Sequence, residues 1–129
     1  MKFKLVTSLN KRLFEHKAQQ LITSAVEMNY PLDVYHENSY EGVQLEFPKE
    51  ITSIDLWQLP EYSFWIDHFI NSRSCPWNDP NKHLGVVKKA QAKFWFRKVL
   101  SIAHAILNAK TKYVIWCDGD AHFVNNLDD

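Results

Sequence analysis

The sequence predicts an α/β fold, a Rossmann-like βαβ sandwich with a mainly parallel sheet. First, residues 3–37 contain an apolar run, an amphipathic helical segment and a second apolar run, in that order. Second, a long amphipathic segment later in the chain leads directly into another apolar run. Third, 129 residues with 46% hydrophobic content suit one domain built around one core. We therefore expect a single domain over residues 1–129.

The first half of the chain predicts a βαβ unit. A strand is expected at Phe3–Leu9, where apolar and β-branched residues follow one another. Asn10 suits the N-cap of a helix over Lys11–Met28, because apolar residues recur there at three- and four-residue spacing. The helix ends at Asn29–Pro31, and a second strand is predicted at Leu32–Glu37. This order favours two parallel strands joined by a crossover.

The second half predicts one long helix and one strand. Residues 38–90 are less regular, with short helical pieces expected in their aromatic part and a loop at Asn71–Asn81. The strongest helical pattern covers Lys93–Asn108, where polar and apolar residues lie on opposite arcs. Lys98 lies at the border of the apolar arc, where a purely solvated lysine is not expected. A strand at Tyr113–Cys117 follows. The polar stripe of the helix comprises Lys93, Arg97, Ser101, His104 and Asn108.

Charge is balanced overall but unevenly distributed. The chain has 15 basic and 15 acidic residues, so the composition as a whole argues for neither nucleic acid nor an anionic membrane surface as a partner, and no nucleic-acid partner is expected. Between Pro80 and Cys117 there are eight Lys and Arg residues and no acid, whereas the last twelve residues contain four Asp and no Lys or Arg. This contrast suits a divalent cation bound with a polyphosphate. A solvated surface is the simpler interpretation for most of these lysines, with Lys98 as the exception.

Cysteine use and hydropathy predict a cytoplasmic protein with no transmembrane segment. Two cysteines are too few for a disulfide scaffold. The apolar stretch at the N-terminus is too short for a signal peptide, and no apolar run has the length that crosses a bilayer.

The triplet Asp118-Gly119-Asp120 directly follows the last predicted strand. In open α/β sheets ligands bind beyond the carboxyl ends of strands, so both carboxylates are expected at that edge. Gly119 allows unusual backbone angles and a close approach. Carboxylates on an open turn suit Mg²⁺ or Mn²⁺ shared with substrate phosphates, and His122 is a weaker candidate ligand. A solvated turn is the alternative, because Asp-Gly is a common turn pair.

The segment FWFRKVLSIAHAILNAKTKYVIWCDGDAHFVNNLDD resembles the nucleotide-sugar-binding half of GT-A glycosyltransferases. In that family a helix carrying Lys or Arg leads into a strand that ends in a DxD motif. The N-terminal KLVTSLNKRLFEHKAQQLITS, followed by LDVYHE, resembles the first βαβ unit of the family, which receives the nucleotide.

The resemblance implies a role for each matching residue. Asp118 would lie near the ribose and the metal, and Asp120 would bind the Mn²⁺ or Mg²⁺ that bridges the donor diphosphate. Lys98 would face the nucleotide-sugar donor. The metal and this cation would stabilise the charge on the leaving group, and no catalytic residue is identified. The nucleotide pocket would be lined by residues at the carboxyl ends of the first two strands, namely Thr7, Ser8 and Glu37.

The family continues past the DxD motif into an acceptor-binding part, whereas this sequence ends at Asp129. The resemblance therefore implies a truncated GT-A fold that carries the donor site without the acceptor site. We do not expect efficient glycosyl transfer from these 129 residues alone. A surface that the missing part would cover is expected to be open, which predicts self-association as a homodimer.

Two other functions are compatible with the sequence. A haloacid dehalogenase-type phosphotransferase also has an apolar strand before DxD, and Asp118 would then be the nucleophile and Asp120 the acid or base. Its motif normally comes first in the domain, and the Thr or Val expected two residues after the second Asp is replaced by His122. The third function is an interaction domain with an exposed aromatic face, although core packing explains these aromatics more simply. That face would comprise Trp57, Tyr62, Phe64, Trp65 and Phe69.

Overall fold

The computed structural model describes residues 2–79 and 85–124, and its centre is a four-stranded, all-parallel sheet. Lys82, Asp128 and Asp129, which belong to the predicted charge pattern, lie outside the described residues, as does the end of the predicted loop at Asn71–Asn81. The sheet order is β3-β2-β1-β4, and each neighbouring pair is parallel. The predicted α/β fold with a parallel sheet is confirmed. The strands are β1 Phe3–Ser8, β2 Leu32–His36, β3 Thr52–Asp55 and β4 Tyr113–Trp116.

Helices cover both faces of the sheet. They are α1 Lys11–His16, α2 Gln19–Glu27, α3 Asn38–Glu41, α4 Pro60–Trp65 and α5 Gly85–Leu107. Short 3₁₀ turns occur at Leu56–Gln58 and Pro76–Asn78, and a π-helical turn at Ile66–Ile70 continues α4. None of the helices in the described ranges is both long enough and apolar enough to cross a bilayer.

The helix predicted over Lys11–Met28 is two helices, because the backbone leaves helical geometry at Lys17. Asn10 caps α1 as expected, since its side chain accepts a hydrogen bond from the Leu13 N–H at 2.9 Å. The N–H groups of Lys17 and Ala18 both donate to the Leu13 carbonyl at 2.9 Å, which ends the helix. Lys17 therefore lies at a corner between α1 and α2.

Side chains alternate across the sheet and build a core on each face. On β1, Phe3 and Leu5 pack against α2, whereas Val6 packs on the opposite face against α4 and α5. On β2, Val34 and Tyr35 divide in the same way. The molecule therefore has three layers, with the sheet in the middle.

Helix α5 buries part of its predicted polar stripe, alongside the half-buried apolar Phe96 and Leu100. Arg97 and Ser101 are buried, whereas Trp95 and Val99 are 59% and 61% exposed. The buried polar groups have partners: the Ser101 hydroxyl donates to the Arg97 carbonyl at 2.6 Å, and Arg97 pairs with an acid from the sheet edge. Trp95, Val99 and Ile106 are exposed and Ile102 beside them is half-buried, and we call these four residues the α5 stripe.

Strand β3 lies in a segment predicted as short helical pieces. It pairs with β2 in the register Asp33↔Thr52 to His36↔Asp55. Its residues are exposed or half-buried, so no buried apolar run marks it in the sequence. Long-range pairing with β2 therefore determines this strand.

Candidate functional site

The predicted carboxylates lie at the topological switch point of the sheet. The chain runs from β1 outward to β2 and β3, then returns to place β4 on the other side of β1. The Cys117 N–H donates to the Val6 carbonyl at 2.8 Å and extends the pairing of β4 with β1. Ser8 and Asp118 thus leave adjacent parallel strands at the same edge, where open α/β sheets bind ligands.

A cavity of about 390 Å³ opens at this edge. It brings together Ser8, Lys98, Asp118 and Asp120, which are four of the six residues predicted for the site. Basic, acidic and aromatic side chains all contribute, and a cavity of this size holds a small organic ligand. The remaining lining residues are Leu13, Lys17, Phe94, Trp95, Trp116 and Gly119.

Lys98 and Asp118 lie side by side in this cavity. Lys98 Nζ is 3.7 Å from Asp118 Oδ1. The same ammonium lies 5.6 Å and 5.3 Å from the ring centroids of Trp95 and Trp116. The indole N–H of Trp116 donates to Asp118 Oδ1 at 2.8 Å. Two aromatic rings therefore position the cation, and one of them also orients the carboxylate.

The ion pair between Lys98 and Asp118 is easily rearranged. The two side chains are 27% and 66% exposed, so solvent screens the pair. Pairs of this kind contribute at most about 1 kcal/mol. A ligand that offers phosphate oxygens to Lys98, or a metal ion that binds Asp118, can therefore replace the contact at little cost.

Asp118 and Asp120 have the chemistry that a hard divalent cation needs. Both carboxylates are exposed and line the cavity, where they are the only acidic groups among the residues that the structure describes. Within residues 2–79 and 85–124, no group of three His, Cys, Asp or Glu side chains could hold a metal. Two carboxylates fit Mg²⁺ or Mn²⁺ when ligand oxygens and water complete the shell. His122 is exposed and is not among the residues lining the cavity.

Gly119 allows a close contact rather than an unusual backbone angle. Gly42 is the glycine with a positive φ among the described residues. A Cβ built on Gly119 would lie 2.7 Å from Leu13 Cδ2 and 3.0 Å from Leu13 Cγ. A side chain here would push Leu13, which lines the cavity. The glycine thus lets α1 approach the acidic turn.

The other two predicted residues, Thr7 and Glu37, do not line this cavity. Thr7 is fully buried, and its hydroxyl has no hydrogen-bond partner among the described residues. Glu37 is buried, accepting a hydrogen bond from the Tyr62 hydroxyl at 2.6 Å, and its second oxygen lies 3.5 Å from Arg97 Nη1. Burial, and then the nearby Glu37, raise the pKa of Tyr62. Glu37 therefore links β2 to α4 and α5.

Several lining residues were not predicted from the sequence. Lys17 reaches the cavity because α1 ends one residue before it, and the helical pattern gives no sign of this break. Trp95 was assigned to the apolar packing arc, but it lies beside Lys98 in the cavity. Trp116 could have been predicted from the sequence, because it lies two residues before Asp118, at the end of the strand that leads into the acidic turn.

The aromatic residues of the interaction-domain alternative are divided between core and surface. Tyr62 is fully buried, whereas Phe64 is 66% exposed. Trp65 stacks on Phe96 of α5 with ring centroids 4.4 Å apart. Most of this group therefore contributes to packing beneath α5.

Comparison with protein-family models, with curated proteins and with solved structures gave no match for this chain. The function must therefore be argued from the residues of the cavity, their contacts and their chemistry.

Proposed function

We propose that the cavity at the switch point binds a nucleotide-sugar donor through Mn²⁺ or Mg²⁺, as the donor site of a GT-A glycosyltransferase does. The observation that carries this proposal is the meeting of Lys98 with Asp118 and Asp120 in one cavity at the carboxyl ends of β1 and β4. A diphosphate binds where there is positive charge. Two carboxylates contribute positive charge only when they hold a metal cation, whereas the Lys98 ammonium contributes it directly.

Each polar residue of the cavity would have a separate task. Asp118 and Asp120 would hold the cation, which neutralises the donor diphosphate as it leaves the sugar. Lys98 would turn from Asp118 to the phosphate oxygens and stabilise their charge. Ser8, at the end of β1, would donate a hydrogen bond to the ligand from the opposite wall. Trp95 and Trp116 would keep Lys98 oriented and limit the access of water.

The proposal is tested by calorimetric titration with UDP-, GDP- and CMP-sugars, each with and without Mn²⁺. We expect one nucleotide class to bind only with the metal, and we expect Asp120→Asn to weaken that binding by at least about tenfold. Asp67→Asn is the matched control, because Asp67 is exposed and lies in the π-helical turn after α4.

Two outcomes would contradict the proposal. One is that no nucleotide-sugar binds a folded wild-type chain at millimolar concentration. The other is that Asp120→Asn and Asp67→Asn weaken binding equally. Beryllofluoride addition provides a second test, because a stable adduct on Asp118 would favour the phosphotransferase alternative.

The partners and the location expected from the sequence remain predictions. Cys75 and Cys117 are both free thiols. The α5 stripe is the surface on which the predicted homodimer is tested, because it is uncharged and three of its four residues are exposed. The acceptor of the sugar is not specified by the residues that line the cavity.

A further inference from the structure

A second cavity, of about 380 Å³, adjoins the proposed donor site on the side of α1. The two cavities share Leu13, Lys17 and Phe94. The composition of the second cavity is different, because it has basic side chains and no acidic one among its lining residues. The lining comprises Asn10, Arg12, Leu13, His16, Lys17, Phe94 and Arg97.

The basic side chains at the rim have no protein counter-charge. Arg12, His16 and Lys17 are exposed, and within the described ranges their side chains make no hydrogen bond or ion pair. Two nearby cations are paired: Lys4 Nζ lies 2.7 Å from Asp33, and Lys11 Nζ lies 3.9 Å from Glu15. Arg12, His16 and Lys17 therefore place three unpaired basic side chains around one cavity.

Arg97 adds a buried cation whose hydrogen bonding is incomplete. Its side chain is only 6% exposed, and its Nε has no hydrogen-bond partner among the residues described. Its contact with Glu37 is long, at 3.5 Å. The guanidinium also lies 5.5 Å from the centroid of the Phe94 ring, and both residues line the cavity. A buried donor without a partner is costly, and an anion in the cavity would reduce that cost.

We propose that this basic cavity binds a phosphate group without a metal ion. A phosphate carries about two negative charges and several strong acceptor oxygens, which suits two free cations beside a buried arginine. The guanidinium forks of Arg12 and Arg97 match phosphate geometry, and Lys17 adds a point charge. No carboxylate is among the lining residues, so a hard divalent cation such as Mg²⁺ lacks the negatively charged ligands it prefers there. The ligand is either free inorganic phosphate or the phosphate monoester of a small molecule.

Titration calorimetry tests this proposal, with inorganic phosphate and a hexose phosphate as the two ligands. The buffer contains EDTA, which removes metal ions, and about 0.15 M salt, which screens non-specific attraction to the surface. We expect the double substitution Arg12→Gln with Lys17→Gln to weaken phosphate binding at least about tenfold, because two charge-assisted contacts are lost. Lys88→Gln with Lys110→Gln removes the same charge from exposed positions elsewhere and should change binding less than about twofold. Asp120→Asn should leave it unchanged.

Three results would overturn the proposal. Binding that needs Mn²⁺ and is lost in Asp120→Asn would place the phosphate at the acidic turn. Equal losses in the two double variants would indicate a non-specific charge effect, and no binding at millimolar phosphate would leave the cavity without this ligand. If the hexose phosphate binds more tightly than inorganic phosphate, the ester is the ligand; the reverse order identifies the free ion. Arginine 97 is not replaced, because its loss would disturb the core.

The proposal does not rest on the donor site. Metal-dependent binding of a nucleotide-sugar can be retained when metal-free phosphate binding fails, and the converse also holds. The two titrations therefore distinguish failure of one proposal from failure of the other.

Discussion

Glu37→Gln should destabilise the fold strongly, although the resemblance to GT-A enzymes implied a nucleotide-binding role for Glu37. The substitution keeps an acceptor for the Tyr62 hydroxyl but removes the negative charge beside Arg97. The Glu37 and Arg97 side chains are only 5% and 6% exposed, so water cannot replace the lost charge. We therefore expect a loss of folding free energy rather than a selective loss of ligand binding.

The burial of both partners determines the expected size of this effect. Removing one member of a buried ion pair typically costs about 3–5 kcal/mol. The distance of 3.5 Å and the unpartnered Nε of Arg97 indicate a weak pair, so the lower end of about 3 kcal/mol is expected. For a chain of this length that loss lowers Tm by roughly 10 °C.

Urea unfolding followed by tryptophan fluorescence measures the effect, since the chain has five Trp residues. Glu61→Gln is the control, because Glu61 is exposed in the first turn of α4. Adding Arg97→Met to Glu37→Gln should restore part of the stability, because no unpaired charge is then buried. The reasoning is refuted if the Glu37→Gln and Arg97→Met effects add within about 0.5 kcal/mol, or if Glu37→Gln costs no more than Glu61→Gln.

Three further predictions follow from burial and exposure. Burial lowers the pKa of His36 below its ordinary value of 6.5, so the unfolded chain binds a proton at a higher pH than the folded chain does. The free energy of unfolding should therefore fall as the pH drops through 6.5. His36→Gln should flatten this part of the curve of stability against pH. Burial raises the pKa of the Cys117 thiol to about 11, so iodoacetamide at pH 8 should modify Cys117 only after urea is added, and rapid native labelling would contradict this. Val99→Glu in the exposed α5 stripe should abolish a homodimer seen by sedimentation, whereas Lys88→Glu should leave it intact.

The sequence predicted the elements with strong local signals. Apolar runs mark strands β1 and β2, and the capping residue Asn10 marks the start of α1, so local chemistry determines them. Lys98 and Asp118 were predicted for one site, and their side chains lie 3.7 Å apart, although the ion pair itself was not predicted. These predictions depend on short stretches of chain that carry their own signal.

The remaining features depend on partners distant in sequence. Three polar residues of α5, Arg97, Ser101 and His104, are buried or half-buried. Arg97 pairs with Glu37, 60 residues away, and His104 Nδ1 forms a hydrogen bond of 2.7 Å with the Tyr35 hydroxyl. Amphipathic periodicity identifies the two faces of a helix but not which one meets such a partner. The basic cavity escaped prediction for the same reason, since Lys17 and Arg97 become neighbours only after α1 ends and α5 packs.

The ligand site depends on the pairing of β4 with β1, which joins residues far apart in the sequence. Phe3 pairs with Tyr113, so joining these strands closes a loop of about 110 residues, at an entropic cost on the order of 4 kcal/mol. Ser8 and Asp118, which both line the cavity, lie at the two ends of this loop. Separation of β4 from β1 would dismantle the site while leaving the pairing of β1 with β2 intact. A ligand that contacts both Ser8 and Asp118 would therefore stabilise the pairing of β4 with β1. It would slow amide hydrogen exchange in β4 more than in β2.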